Sequence, residues 1–434
     1  MNSEWPLRAL EDIAKEVTVG FVGSMASEYV ENGVPFLRSL NIDPFGINTN
    51  DLKFVSPEFH RKIKKSALRP GDVVIVRTGK PGTCAVVPDW LDDANCSDLV
   101  IARCGAKIRP RFLCYWINSA ASHHISSHLV GAVQQHFNVG AAKKMLVATP
   151  SLWEQDQVIS VLGSIDDRIT LLRETNATLE AIAQALFKSW FVDFDPVRAK
   201  AEGLAPEGMN AATAALFPDS FEESGLGLVP RGWRMLPLED AYEINPPRKL
   251  KKSKVAPYLD MASVSTQGHV VRGVVEREMG SGTKFINGDT LLARITPCLE
   301  NGKSAFVDFL SVDQTGWGST EFVVLRPRAP LPPYHGYLLA RHPAFREHAI
   351  QSMSGTSGRQ RVQNDVLGRY SVAVPSDEIA EAFGDVVGSA QQKIAANQEQ
   401  AKTLTQLRDT LLPRLISGQL RLPEAEVMVE EICA

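Results

Sequence analysis

The sequence predicts an α+β protein with two globular units, separated by two long antiparallel helices that form a coiled coil, and with an internal pseudo-twofold repeat. The composition of the 434 residues, 44% apolar and 22% charged, is that of a globular protein and excludes a disordered chain. Motifs of the first half return in the second half, which is the signature of a duplicated fold. A heptad pattern follows each copy of the motifs, which predicts the two helices.

The repeat is visible in three places along the chain. The opening WPLRALEDI at Trp5 returns as WRMLPLEDA at Trp233, 228 residues later. The run GDVVIVRTGKPGTCAVV from Gly71 returns as GDTLLARITPCLENGKSAFV from Gly288. The run LVATP before the first heptad pattern returns as SVAVP before the second. The chain is therefore predicted to be a globular unit followed by a long helix, twice over.

These boundaries divide the chain into five segments. Residues 1–153 and 233–376 form the two globular copies, in which short β-branched runs such as GDVVIV and FVVLR predict strands. The stretches RFLCYWINSAASHHISSHL and YHGYLLARHPAFREHAIQSM predict amphipathic helices. Residues 154–200 contain the first long helix and its exit, 201–232 a linker, and 377–434 the second long helix and a tail.

Each long helix presents apolar residues alternately four and three positions apart, as in a coiled-coil seam. The first seam is Val158, Leu162, Ile165, Ile169, Leu172, Asn176, Leu179, Ala183, Leu186 and Trp190; the second is Phe383, Val387, Ala390, Ile394, Asn397, Ala401, Leu404, Arg408, Leu411 and Leu415. Roughly 39 residues make a helix of about 58 Å. Pro413 and Gly418 are expected to end the second helix. Asn176 and Asn397 are expected to fix the register of antiparallel helices; the alternative is that each is tolerated at a seam edge.

The net charge of −4 is unevenly distributed. Residues 1–153 carry +3 and residues 233–376 carry +5, whereas 154–192, 193–232 and 377–434 carry −3, −4 and −5. A surface that binds phosphate needs local positive potential rather than a basic whole protein, so both copies are compatible with nucleic acid. Chance variation over blocks of this size is the alternative.

The sequence gives no indication of a metal site, a disulfide framework or a membrane span. The six cysteines include no C-x-x-C pair, and His124 and His128 lack a third ligand, so a solvated or capping role is expected for these histidines. The apolar runs are shorter than the ~18–20 residues of a spanning helix, and residues 1–16 lack a secretory pattern. A cytoplasmic location is the expectation.

Three segments of the sequence resemble segments of a known family. FKSWFVDFDPVRAK at residues 187–200, with the preceding IDDRITLLRETNATLEAIAQAL, closely resembles the central conserved region of the specificity subunits of type I restriction–modification enzymes. QLRDTLLPRLISGQL at 406–420 resembles their C-terminal conserved region, and GDTLLARITPCLENGK resembles a recurrent sequence of their target recognition domains. The resemblance covers essentially the whole chain in the family's order.

The resemblance implies a subunit without catalysis of its own that binds double-stranded DNA through two target recognition domains. In that family two modification subunits carry S-adenosylmethionine and methylate adenine, and restriction subunits use ATP and Mg²⁺ to translocate and cut. The chain itself is expected to bind no cofactor. Because its two copies differ in sequence, we expect an asymmetric bipartite target, with the helices setting the spacer at typically about one helical turn of DNA (~34 Å).

Two other functions were weighed. Asn245-Pro246-Pro247-Arg248 is similar to the Asn-Pro-Pro-aromatic motif of adenine methyltransferases, but its fourth residue is arginine and no glycine-rich cofactor loop precedes it. A proline-stiffened loop is the better interpretation. A coiled-coil adaptor without DNA function would not need loops rich in arginine, glutamine and asparagine, and salt-dependent duplex binding would distinguish the two.

Base edges in the major groove are read by arginine or lysine at guanine and by asparagine or glutamine at adenine. Two loops at equivalent places carry these residue types, and the turn after GDVVIV or GDTLLA is placed near DNA by the family resemblance. The basic run that follows Arg248 suits backbone phosphates. The alternative for every one of these residues is a solvated turn or edge. The candidates are Arg77, Thr78, Lys80, Gln134, Gln135, His136, Asn138, Lys143, Lys144, Lys249, Lys251, Lys252, Lys254, Arg294, Thr296, Asn301, Lys303, Arg359, Gln360, Arg361 and Gln363.

The aromatic residues Phe187, Trp190 and Phe191 are expected to pack the first long helix against a recognition domain or a modification subunit. They have the character of core residues and not of a platform for base stacking.

Overall fold

A computed structural model describes residues 5–127, 129–130, 136–225, 227–356, 358–420 and 424–425. The chain divides into two compact units. Unit 1 is Met1–Thr170 with Lys402–Ala434, and unit 2 is Leu171–Ala401. Each long helix therefore contributes one half to each unit.

Unit 1 is built mainly from short strands. The strands are β1 Leu7–Ala9, β2 Ala14–Val19, β3 Tyr29–Val30, β4 Val34–Leu37, β5 Ile42–Asp43, β6 Gly46–Ile47, β7 Lys53–Val55, β8 Ala67–Leu68, β9 Val73–Val76, β10 Cys84–Val86, β11 Ala94–Cys96, β12 Leu99–Cys104, β13 Leu129–Val130, β14 His136–Phe137 and β15 Leu146–Ala148. The helices are α1 Leu10–Ile13, α2 Pro57–Lys62, α3 Pro110–Ala120, α4 Ser122–Ser127, α5 Val139–Lys143 and the first long helix α6 Leu152–Phe191, with 3-10 turns at Ser39–Asn41, Lys64–Ser66 and Asp89–Leu91.

Unit 2 follows the same plan. Its helices are α7 Asp195–Ala201, α8 Ala211–Leu216, α9 Leu238–Ala241, α10 Pro333–Arg341, α11 Pro343–Gln351, α12 Asn364–Gly368 and the second long helix α13 Asp377–Ile416. Its strands are β16 Phe221–Ser224, β17 Gly227–Pro230, β18 Arg234–Pro237, β19 Tyr242–Ile244, β20 Val255–Leu259, β21 Val275–Glu278, β22 Thr283–Phe285, β23 Thr290–Ala293, β24 Ser304–Phe306, β25 Gly316–Gly318, β26 Phe322–Pro327 and β27 Ser371–Val374.

The strand order confirms the predicted α+β class and the internal repeat. In unit 1 one sheet has the order β10-β9-β12-β2, and in unit 2 the matching sheet has the order β24-β23-β26-β19. The second sheets are β3-β7-β4-β11-β8 and β21-β20-β25-β22, and each contains one parallel pair, β4 with β11 and β20 with β25. A two-stranded ladder, β1–β15 or β18–β27, joins the start of each copy to its end.

The recurrent Gly-Asp pair has a structural explanation. Gly71 and Gly288 adopt φ values of +86° and +87°, which a glycine reaches without strain, as the chain turns into β9 and β23. The next residue is a buried aspartate in both copies. The carboxylate of Asp72 accepts a bond from the Arg69 amide (3.0 Å), and that of Asp289 accepts one from the Ile286 amide (2.9 Å).

Most seam residues of the two long helices are buried, in both units. Val158, Leu162, Ile165 and Ile169 are at most 2% exposed in unit 1, as are Phe383 and Val387 in unit 2. Within unit 2, Asn176 faces Asn397 while Trp190 packs on Phe383 with ring centroids 5.5 Å apart, so the two helices run antiparallel there.

The two seam asparagines bind one another. The Asn397 Nδ2 donates to Asn176 Oδ1 (2.8 Å), and Asn176 Nδ2 donates to the Ile394 carbonyl (3.3 Å). A slip along the helices would place these amides against apolar side chains, where unpaired polar groups are costly. The pair therefore disfavours other registers.

The structure differs from two of the local predictions. Pro413 does not end the second long helix, which continues to Ile416; the chain leaves the helix at Gly418 (φ +81°), as predicted for that glycine. Proline removes one backbone donor in the last turn, but Leu415 and Ile416 are buried and hold that turn in place. The segment predicted as a linker, 201–232, contains α8 and the β16–β17 hairpin, and its Phe217 lies in the main core of unit 2.

The asparagine pair generates a prediction about stability. Asn397→Ala leaves the half-buried Asn176 carbonyl without its donor, so the free energy of unfolding should fall by about 1–3 kcal/mol. Replacing both asparagines by leucine should recover that loss, because no polar group then remains unpaired. Guanidinium unfolding followed by circular dichroism measures both effects. Gln392→Ala, an exposed change on the same helix, is the control; equal effects of the two alanine variants would contradict the role of the pair.

Candidate nucleic-acid interface

In unit 1 the turn after β9 is joined to the segment before α5. The Phe137 amide donates to the Arg77 carbonyl (3.0 Å), and the Arg77 Nε donates to the Phe137 carbonyl (3.1 Å). The Arg77 guanidinium also forms an ion pair with Asp98, the residue before β12. Arg77, a candidate for base contact, is therefore half-buried and engaged within the protein, where it holds the two candidate segments together.

The other candidates of unit 1 have varied surroundings. Asn138 caps α5 by accepting a bond from the Ala141 amide (2.8 Å). Lys80 and Lys144 are exposed, while Thr78 and Lys143 are half-buried. Gln134 and Gln135 lie outside the described residues, and for His136 only its backbone position in β14 is described.

Unit 2 repeats this arrangement. The Val362 amide donates to the Arg294 carbonyl (3.0 Å), the counterpart of the bond between Phe137 and Arg77. The Thr296 amide donates to the Gln360 carbonyl (3.0 Å), and the Gln360 amide donates to the Thr296 hydroxyl (3.1 Å). In both units the fold thus brings together two segments that are far apart in sequence and that were selected independently as candidates.

Arg361 is held by an acidic residue. Its Nε lies 2.9 and 3.0 Å from the two carboxylate oxygens of Glu321, and its Nη2 lies 2.6 Å from Oε1. These hydrogen bonds hold the pKa of Glu321 below its ordinary value of 4.5. Because the folded pKa is lowered, the pair contributes fully above pH 4.5 and is lost as the pH falls through the lower folded value.

Glu321 and Asp98 are residues that sequence reasoning missed. Each directly precedes the long central strand of its unit, β26 or β12, and each pairs with an arginine of the candidate segments. The signal was present in the sequence, because Ser97-Asp98-Leu99 and Thr320-Glu321-Phe322 occupy the same place in the two copies. Their pairing partners, however, lie on other elements.

The remaining candidates of the turn and loop in unit 2 divide by exposure. Arg359, Gln363 and Asn301 are exposed. Lys303 is half-buried, and its Nζ donates to the Met261 carbonyl (2.7 Å). Arg294 is half-buried close to Glu321, to whose lowered pKa its charge contributes.

The basic run before β20 is exposed at all four lysines, Lys249, Lys251, Lys252 and Lys254. Arg248 is different, because it pairs with the buried Asp289 (2.9 Å). Asn245 accepts a bond from the Val324 amide (2.9 Å). The Asn-Pro-Pro-Arg segment thus ties a loop to the sheet, in agreement with its interpretation as a proline-stiffened loop.

The three aromatic candidates lie in the core of unit 2. Phe187, Trp190 and Phe191 are at most 6% exposed. Phe191 packs on Phe383 with ring centroids 4.7 Å apart and on His335 at 4.8 Å. Burial lowers the pKa of His335 to about 3, so the imidazole in this cluster is neutral at physiological pH.

Across the described ranges, no group of histidine, cysteine, aspartate or glutamate side chains is arranged to hold a metal ion. The five described cysteines are free thiols. His124 Nε2 lies 3.0 Å from the Ala141 carbonyl oxygen, and His128 lies outside the described residues. None of the helices in the described part of the chain is both long enough and apolar enough to cross a membrane.

Comparison with known proteins identifies relatives of one kind, although no protein-family model matches the chain. The chain is 27% identical over 329 residues to the type I restriction enzyme HindI specificity subunit of Haemophilus influenzae, covering 62% of this chain and 68% of that protein. It is 22% identical over 441 residues to the type I restriction enzyme MjaIX specificity subunit of Methanocaldococcus jannaschii, covering 97% and 94%. These relatives confirm the resemblance found in the sequence.

A solved structure shares the fold. The S subunit of the type I restriction–modification system from M. genitalium superposes with a TM-score of 0.53 at 13% sequence identity. The superposition covers 95% of this chain and 96% of that one.

The Arg361–Glu321 pair generates a prediction about loop order. Glu321→Gln removes the charge that holds Arg361, so the loop before α12 should open more often. Trypsin should then cleave after Arg359 and Arg361 several-fold faster, as followed by mass spectrometry of the native protein. Asp365→Asn is the matched control, because its partner Arg369 lies 3.6 Å away in an exposed pair that contributes little. Equal cleavage rates in the two variants would contradict the role of Glu321.

Proposed function

We propose that this chain is the DNA-recognition subunit of a type I restriction–modification complex and that it binds an asymmetric, bipartite double-stranded target. The observation that carries the proposal is the repeated site. Each unit joins a turn and a loop through the same backbone hydrogen bond, Phe137 to Arg77 or Val362 to Arg294, and the exposed side chains around the two bonds differ. The backbone arrangement is the same in both units but the exposed side chains differ, so the two units are suited to bind two different half-sites.

Within each site, buried and exposed residues have different tasks in this proposal. Arg77 and Arg361 are engaged by Asp98 and Glu321, so they position the backbone of the site. Lys80, Arg359, Gln363 and Asn301 are exposed and are left to contact base edges, for which these residue types are suited. Because these ion pairs order the backbone of the site before DNA binds, the entropic cost of binding is lower.

The lysines of the run before β20 are assigned to backbone phosphates. Lys249, Lys251, Lys252 and Lys254 are exposed point charges with flexible stems. Such contacts place the protein on the duplex without reading its sequence.

The long helices α6 and α13 would set the spacer between the two half-sites and offer their exposed faces to protein partners. In this proposal the partners are two modification subunits, which supply S-adenosylmethionine and adenine methylation, and restriction subunits, which supply ATP-dependent translocation and cleavage with Mg²⁺. The chain would contribute recognition and assembly, and no catalytic step. Its place of action is the cytoplasm, where these partners meet DNA.

The helices provide the test of the bipartite target. Mapping methylated adenines in host DNA by single-molecule sequencing should return two different half-sites with a fixed spacer.

Inserting four residues after Leu172 and four after Ala401 keeps the helices paired and lengthens them by ~6 Å. The spacer should then grow by roughly two base pairs (at ~3.4 Å each) with both half-sites unchanged. The same insertion in the exposed turn at Gly208 is the control; an unchanged spacer in the helix variant would contradict the proposal.

A second test separates base contacts from phosphate contacts. Arg359→Ala should weaken binding of the assembled methyltransferase to its cognate duplex by ~1–3 kcal/mol and have little effect on a scrambled duplex. Lys251→Ala should weaken both about equally and reduce the salt slope by roughly one unit. Fluorescence anisotropy across a salt series measures both quantities. Equal losses on the two duplexes for Arg359→Ala would reassign that loop to the phosphate backbone.

A further inference from the structure

A second concentration of positive charge lies in unit 1, on residues outside the candidate segments described above. Between Glu58 and Asp72 the chain contains no acidic residue. It contains five basic residues there, which form the α2 basic cluster: Arg61, Lys62, Lys64, Lys65 and Arg69. All five are exposed, on helix α2, on the 3-10 turn that follows it and at the end of β8.

The α2 basic cluster borders a cleft of about 690 Å³. Arg61, Lys64, Lys65 and Arg69 line the cleft. Asp92 and Asp93 also line the cleft; Asp92 is exposed, and the carboxylate of Asp93 lies 3.1 Å from His60 Nε2. Among the described residues, none of the five cluster side chains takes part in a salt bridge, so their charges are available to a ligand.

The cluster is continuous with the candidate DNA site of unit 1. Lys65 also lines a neighbouring depression of about 490 Å³, together with Lys15 and Lys143. Glu11 and Glu16 line it as well, and Glu16 is paired with Arg103. Lys143 ends α5, the helix that follows the candidate loop. At the other side, Arg69 leads into β9, and Arg77 directly follows that strand. A four-residue strand spans about 13 Å, which is within the reach of one duplex.

The two units differ at this place. The segment between β21 and β22 is only residues 279–282 and carries no charge, whereas the matching segment of unit 1, residues 56–66, carries four of the five cluster residues. Conversely, the segment before β20 holds the lysine run, whereas its counterpart in unit 1, residues 20–33, contains two glutamates and no basic residue. The repeat thus places exposed positive charge on different elements of a shared fold.

We infer that the α2 basic cluster binds the backbone phosphates of duplex DNA, as the counterpart in unit 1 of the lysine run in unit 2. This inference rests on the proposed function. The ligand is a row of phosphates rather than one anion, because the five cluster residues are exposed on successive elements and Lys65 shares a depression with Lys143. The contacts are independent of base sequence, and the phosphates held by unit 1 differ in position, relative to the bases read, from those held by unit 2.

The experiment uses the full chain assembled with its modification subunits and a fluorescent DNA duplex of random sequence. Lys64→Ala with Lys65→Ala should reduce the salt slope by about 1.8 units, since each phosphate contact contributes ~0.9. Affinity at 0.1 M salt should fall on the order of tenfold. Replacing both lysines by glutamate should lower it further. Arg231→Ala, an exposed arginine in the turn that follows β17, is the control and should leave the slope unchanged.

The outcomes are distinguishable. A wild-type complex whose binding does not depend on salt would overturn the proposed function itself. A wild-type complex that binds normally, with a Lys64/Lys65 variant of unchanged slope and unchanged thermal unfolding, would overturn only the assignment of the cluster. A lower slope on both random and cognate duplexes, with the methylated sequence unaltered, supports it.

Discussion

The hydrogen bond between Asn397 and Asn176 joins the two long helices in the middle of an apolar seam, and both units draw core residues from these helices. The bond itself lies within unit 2. Leu162 and Ile165 are buried in unit 1, and Phe383 is buried in unit 2. Because an unpaired amide in such a seam is costly, we expect the pair to fix the register of the helices where it lies.

Two arginine–carboxylate ion pairs hold the candidate segments in position. Arg77 with Asp98, and Arg361 with Glu321, hold a turn and a loop to the start of a central strand. Arg77 and Arg361 form these ion pairs, whereas exposed residues of the same segments, such as Arg359, are not needed to hold the segments in place. The position of the backbone therefore does not depend on which side chains the segments expose.

Much of the fold could be predicted from the sequence, because periodicity and repetition are properties of the chain itself. The heptads identified both helices, and the recurrent Gly-Asp motif identified equivalent strands. Pro413 could not be assigned correctly from its residue type, because burial of Leu415 and Ile416 outweighs one missing hydrogen bond. Helical propensity is a weak guide where tertiary packing decides.

The site was less predictable for a related reason. Residue types and loop positions identified Arg361 as a candidate, but its partner Glu321 is 40 residues away, and the contact exists only once β26 and the loop are neighbours. The basic residues from Arg61 to Arg69 are obvious in the sequence. Their exposure, and their continuity with Lys143 through Lys65, become visible only in three dimensions.

Unit 1 is discontinuous in the chain, and this has a consequence for biosynthesis. Its core takes residues from the half of α13 that begins at Lys402, such as Leu411 and Leu415, so unit 1 cannot be completed until unit 2 has been translated. Domains generally fold as units, and the usual order during synthesis is from the N-terminus onward. Here the strands of unit 1 are synthesised first, but their core is completed only by the part of α13 that is translated after unit 2, and until then the seam face of α6 is uncovered. The order of completion is therefore the reverse of the order of synthesis.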